Sequence, residues 1–156
     1  MLRPCALAAL VLGLAGSTCA QVRVLLPASQ FKTFEQIRAS VRNDTSRPIT
    51  LCVQIGQTSP TGASTESTPI PFFIQVKSKI GWSTLMIGPD VGSARFPTVL
   101  DAGKSAAFPF RLNQYGQLRV VLNYWSGSRP DLDCSKTPRR KKAVRSSPFV
   151  MPMIEN

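Results

Sequence analysis

The densest chemistry in this sequence is a run of cations, with Lys136, Arg139, Arg140, Lys141, Lys142 and Arg145 falling inside residues 136–145. Such a run attracts polyanions by releasing their counterions, and it does so alike for nucleic acid, anionic lipid headgroups and acidic envelope polymers. The same composition also suits a solvated loop that keeps a domain soluble, and paired basic residues can mark a processing site. The whole chain shares the bias, with 19 Lys/Arg against 8 Asp/Glu and a formal net charge of +11.

Histidine is absent altogether. That removes the commonest general base, the commonest metal ligand and the usual partner of a Ser or Cys nucleophile. A non-catalytic protein with no cofactor and no metal is therefore expected. A histidine-free hydrolase would need a pocket joining Asp131 or Asp133 to Asp90 or Asp101. Asp131 and Asp133 share one side of an extended chain, but a calcium site takes about six to eight oxygens and no further acidic cluster accompanies them. Charge pairing with Arg129 or the basic run is the simpler reading.

Gly103, Lys104 and Ser105 resemble the end of a phosphate-binding loop, yet that motif needs glycine where Thr98 stands. Asn43, Asp44 and Thr45 form a glycosylation sequon that in a bacterial chain is simply a turn. Trp82, Tyr115, Tyr124 and Trp125 could line an aromatic face, although aromatic residues on strands more often fill a core.

The ends of the chain say where these residues travel. Arg3 precedes an uncharged run through Leu14, too short for a span of roughly 20 apolar residues. Small residues at Thr18 and Ala20 then suit signal peptidase, so residues 1–20 read as a signal peptide cleaved before Gln21. The alternative, a lipoprotein acylated on Cys19, lacks the expected residues just before the cysteine. No later segment is apolar enough to cross a membrane. Residues 21–156 form one expected domain, secreted or periplasmic, and its remaining cysteines, Cys52 and Cys134, form a disulfide in an oxidising compartment. That bridge would close a loop of about 80 residues and contribute on the order of 4 kcal/mol. Two free thiols are the alternative.

Short alternating apolar runs separated by Gly, Pro, Asn and Asp predict strands. They cover 22–26, 37–42, 49–55, 72–76, 82–87, 108–112, 118–124 and 144–151. Thr33 and Gln36 mimic a helix cap, but the alternation from Ile37 to Val41 selects a strand. Residues 57–71 and 88–97 read as loops. Pro109 marks an edge strand, and 118–124 is the best central strand, with Val121 and Trp125 on its partly covered far side. Cys52 faces away from the apolar side of its strand. About seven or eight strands without a helix predict an all-β, antiparallel immunoglobulin-like sandwich, with a closed barrel as runner-up.

The succession Val41-Arg42-Asn43 with Pro48-Ile49, then Leu100-Asp101-Ala102-Gly103-Lys104-Ser105, then Gly116-Gln117-Leu118-Arg119-Val120 resembles small bacterial immunoglobulin-like domains. Among these it is similar to the family named for a Bacillus intracellular proteinase inhibitor. The resemblance spans roughly 22–125 and carries no reactive-site residue. It implies a sandwich and, as an alternative function, an extracytoplasmic protease inhibitor using loop 57–71. The main expectation is an exported binding or accessory module whose basic segment meets an anionic envelope polymer, lipid or protein partner. Export disfavours nucleic acid.

Overall fold

A computed structural model describes residues 21–57, 67–85, 95–135 and 140–153. The expected signal peptide lies outside them. Eleven strands and no helix occur among the described residues: β1 (Val22–Leu25), β2 (Ile37–Asn43), β3 (Ile49–Gln57), β4 (Ser67–Ile70), β5 (Phe72–Ser78), β6 (Gly81–Leu85), β7 (Arg95–Leu100), β8 (Ser105–Phe110), β9 (Gly116–Ser126), β10 (Lys142–Arg145) and β11 (Phe149–Met151). The ladders between these strands are all antiparallel, and an isolated bridge from Gln30 to Val150 is parallel.

Two sheets form. One has the order β1-β2-β8; the other is built around β9. One edge of β9 pairs β5 through residues 118–122 and β3 through residues 124–126, while its other edge pairs β10 and β11. Strand β7 lies along β3. Strands β1, β2 and β8 facing β3 and β9, with β10 and β11 beyond, reproduce the A-B-E on C-F-G arrangement of an immunoglobulin sandwich.

Alternation explains why the sheets face each other. Ile37, Ala39 and Val41 are buried while Arg38 and Arg42 are exposed; Ile49, Leu51 and Val53 are buried in the same manner from β3. Leu118, Val120 and Leu122 supply the inner face of β9. Phe72 joins the layers edge-on, with ring centroids 5.1 Å from Phe110 and 6.4 Å from Phe108. Edge-to-face contacts of this kind place a ring's positive edge on its neighbour's negative face.

The strand count exceeds the seven or eight expected, for identifiable reasons. β4 and β7 arise where composition reads as loop, because Pro69 and Pro97 punctuate them. Both prolines sit on strands that pair β3 on one side, where a missing N–H is tolerated. The single run expected over 144–151 divides into β10 and β11. At the break, Ser146 is buried; its N–H donates to Val120 O at 2.9 Å and its Oγ accepts from Val120 N at 3.0 Å. The side chain thus replaces a ladder carbonyl while the strand kinks. Pro109 does lie on a strand whose only ladder partner among the described residues is β2.

An ionic cluster pins β1 to β2. Arg23 and Arg42 are ladder partners, and both donate to Asp44, Arg42 Nε at 2.5 Å and Arg23 Nε at 2.7 Å. Burial pushes the Asp44 carboxyl up, but the two guanidiniums outweigh it and hold it below the ordinary 3.8. A lowered folded-state value stabilises above the unfolded pKa, and that contribution disappears as pH falls through the folded one. Asp44→Asn is therefore expected to unfold at lower denaturant than wild type at pH 7 and to match it once wild-type Asp44 is protonated. A gap that persists unchanged at the acid end would contradict this.

Candidate functional site

The outer face of the β9 sheet gathers most of the features that composition could only name. Because strand side chains alternate, Thr50 and Cys52 on β3 and Arg119, Val121 and Trp125 on β9 point away from the core. This side is not bare. Val121 and Trp125 are buried, as are Thr50 and Cys134. Residues 127–135 fasten onto this side: Thr50 Oγ1 donates to Gly127 O at 2.8 Å and accepts from Arg129 N at 2.9 Å. The Cys52–Cys134 disulfide, with Cα atoms 5.6 Å apart, closes the same segment onto β3. It is an outer clamp on the sheet, as the placement of Cys52 implied, and it tethers the chain just before the basic run.

That run is half strand. Arg140 and Lys141 lead into β10, which carries Lys142 and Arg145, so the expected loop 136–145 ends as a ladder element; Lys136 and Arg139 lie outside the described residues. Arg140, Lys141, Lys142 and Arg145 are all exposed. Arg145 pairs Val121 and so faces outward beside Arg119. Burial, followed by repulsion from Arg145, pulls the Arg119 guanidinium below its ordinary pKa, though it remains a cation at neutral pH.

Arg119 also caps an aromatic ring. Its guanidinium carbon stands 4.1 Å from the centroid of Trp82, and Lys77 Nζ lies 5.5 Å from the same ring. Gln75 Oε1 accepts from Arg119 Nε at 2.8 Å, which orients the guanidinium over the indole. Trp82 on β6 stood among the candidate aromatics, but Arg119 and Lys77 escaped sequence reading because they are scattered over β9 and β5. A signal existed in the alternation, which puts Gln75, Lys77 and Arg119 off the apolar face.

Other candidates separate. Trp125 is buried opposite Thr50 on the outer side, Tyr124 packs against the core with its phenol pKa raised by burial, and Tyr115 is exposed. The four aromatics do not share one face. Asp133 Oδ1 accepts from Ser135 N at 3.0 Å and Ser135 Oγ at 2.5 Å, as turn-forming aspartates do. No group of three or more His, Cys, Asp or Glu suited to a metal occurs among the described residues. Asp101 lies in the turn before β8, and Asp90 lies outside the described residues. So do residues 58–66 of the loop assigned to inhibition, while 67–70 form β4.

Asn43 is the sequon asparagine, and the fold consumes its amide. It is fully buried; Nδ2 donates to Arg47 O at 2.9 Å and to Leu100 O and Asp101 O at 3.1 Å each. Oδ1 accepts from Thr45 N and Thr45 Oγ1. In the folded protein this side chain is a corner staple with no free amide for a glycan.

No protein-family model matches the chain, and no curated protein matches it.

Among the described residues no helix is long and apolar enough to cross a membrane. The arrangement as a whole offers ordered cations and a capped indole on a rigid sheet, with no converging nucleophile, base or metal ligand set among the described residues. It is suited to holding an anionic surface by charge.

Proposed function

We propose that this protein is an extracytoplasmic, non-catalytic binding or accessory module that engages a polyanionic partner through its basic segment, Lys136, Arg139, Arg140, Lys141, Lys142 and Arg145. The carrying observation is the continuity of that segment with the sheet: Arg145 stands on β10 next to Arg119, and Cys134 tethers the other end. Cations held on a strand, as Lys142 and Arg145 are on β10, lose less freedom on binding than a free tail would. The disulfide fits an oxidising compartment, which favours envelope polymers and lipids over nucleic acid. The resemblance to the Bacillus proteinase inhibitor family supports the sandwich and no inhibitory loop, so inhibition is left as the rival that a protease panel would expose.

Neutralising Arg139, Arg140, Lys141 and Lys142 to glutamine is expected to weaken binding to a soluble anionic polymer such as dextran sulfate by at least about tenfold, and wild-type binding should fall steeply with salt. Salt-insensitive binding that survives the four substitutions would refute the proposal.

A further inference from the structure

One end of the sandwich exposes apolar side chains that folding alone does not explain. Ile80 sits in the β5–β6 turn with 97% of its surface exposed, and Met153, just past β11, is 72% exposed. Phe34 and Tyr115 are also exposed, at 44% and 39%. The register brings them together. β5 runs from Phe72 opposite Leu122 to Val76 opposite Leu118, so the turn at Lys79 and Ile80 lies beside the start of β9, which Tyr115 precedes. Met151 pairs Gly116, carrying the chain onward to Met153 at that same end. Phe34 N donates to Leu112 O at 2.9 Å, and Phe31 N donates to Val150 O at 3.0 Å, fastening the turn before β2 alongside.

Two of these residues work against local preference. Turn positions favour Asn, Asp, Gly or Ser, and an isoleucine there gains nothing from packing when nearly all of it is in water. Phe34 has φ 63°, a left-handed conformation that is a true outlier for a bulky residue. Strain of this kind persists where surrounding structure enforces it and often marks a working site. Here it holds an aromatic ring outward.

The surroundings are basic. Lys77 and Lys79 flank Ile80, Lys32 and Arg111 stand exposed on the neighbouring connections, and the only carboxylate in the described parts of these connections is Glu35, which accepts from Lys32 N at 2.8 Å. Trp82 begins one residue beyond Gly81, an amphipathic ring with cations on it. Separate apolar tips on turns, ringed by Lys and Arg with an indole behind them, match what an anionic bilayer requires: apolar groups below the headgroups and cations at their level.

We infer that this end of the sandwich docks on the surface of an anionic lipid bilayer, with Ile80, Phe34 and Met153 inserted and Lys77 and Lys79 on the headgroups. The inference shares with the proposed function the premise of an anionic partner and borders its cluster at Lys77 and Trp82, but it rests on the turn residues Ile80, Phe34 and Met153 rather than on the basic segment.

The test uses the chain from Gln21 to Asn156, which contains all eleven strands, in sedimentation with vesicles. Vesicles of phosphatidylcholine containing phosphatidylglycerol should bind it, and pure phosphatidylcholine should bind it far more weakly. Ile80→Ser should reduce partitioning into the anionic vesicles about tenfold, and Lys77→Gln with Lys79→Gln by a similar factor. Ile80→Ser should leave thermal unfolding and dextran sulfate binding unchanged. Unaltered partitioning of both Ile80→Ser and Phe34→Asn would overturn the inference, as would a concentration-dependent dimer that Ile80→Ser dissolves. If neutralising residues 139–142 alone abolishes all vesicle binding, the basic-segment reading stands and this one falls.

Discussion

Replacing Cys52 and Cys134 together by alanine is expected to lower the free energy of unfolding by about 4 kcal/mol, because the bridge joins residues 82 apart and restricts the unfolded chain accordingly. A folded-state loss adds to this. Cys134, Val121 and Trp125 are buried outside the main core, on the side of the sheet that residues 127–135 join through Thr50 and Cys52. Thr50 still holds Gly127 and Arg129 when the bridge is gone, so the first part of that segment should stay in place while the part near Cys134 loosens. Trp125 then gains water, and its emission should shift to the red before global unfolding. Denaturant titration of the double variant, with tryptophan emission as the signal, measures both effects. An unchanged midpoint would show that the bridge constrains nothing the strands do not already hold.

Asn43→Ala is expected to cost about 3 kcal/mol, since it leaves buried carbonyls without donors at a corner where several segments meet. Nδ2 bonds Arg47 O on the turn after β2 and both Leu100 O and Asp101 O before β8. The backbone at the same residue bonds Lys104 O and Gly103 N, where Gly103 has φ 72°. Asn43→Asp should be worse at neutral pH, because a carboxylate would face those three carbonyl oxygens. Burial without donors raises a carboxyl pKa, so this variant is most stable when protonated and loses stability as pH rises above about 4. Thermal unfolding across pH 3 to 8 separates the two variants. Equal stability of alanine, aspartate and wild type would remove the corner from the architecture.

The bridge could be sized from its loop length in the sequence, but the cost at Asn43 could not, although both sites stood out in it. Asn43 looked like a turn residue inside a formal sequon; that its amide reaches Leu100 and Asp101 depends on β2 and β8 pairing across a wide chain separation. Cys52 was legible as outward-facing because Ile49, Leu51 and Val53 define the opposite side. The identity of what it covers was not, since Trp125 and Cys134 reach it only through the pairing of Thr50 with Trp125.

Strand positions divide along the same line. Residues 37–42 alternate cleanly, and there a period of two leaves one buried face and one register; 49–55 and 118–124 keep the same period although Thr50 and Val121 are buried on their far side. β4 and β7 contain proline and polar residues whose local preference is loop, and they become strands because β3 offers them backbone partners. Segment 144–151 shows alternation but conceals the break at Ser146, which arises from a buried hydroxyl matched to Val120.

The basic run at 136–145 was visible as charge, and so was the expectation of an anionic partner. Which cations act together was not visible. Arg145 stands by Arg119, and Arg119 lies over Trp82, only because β10, β9, β5 and β6 lie side by side. The sequence by itself determined the all-β class, the outward turn of Cys52 and the location of the charge, because alternation and composition are local properties. Tertiary structure alone decided the strand count, the buried outer face under the disulfide and the meeting of Phe34, Ile80, Tyr115 and Met153 at one end. Those depend on register between distant strands, which a linear pattern restricts but does not specify.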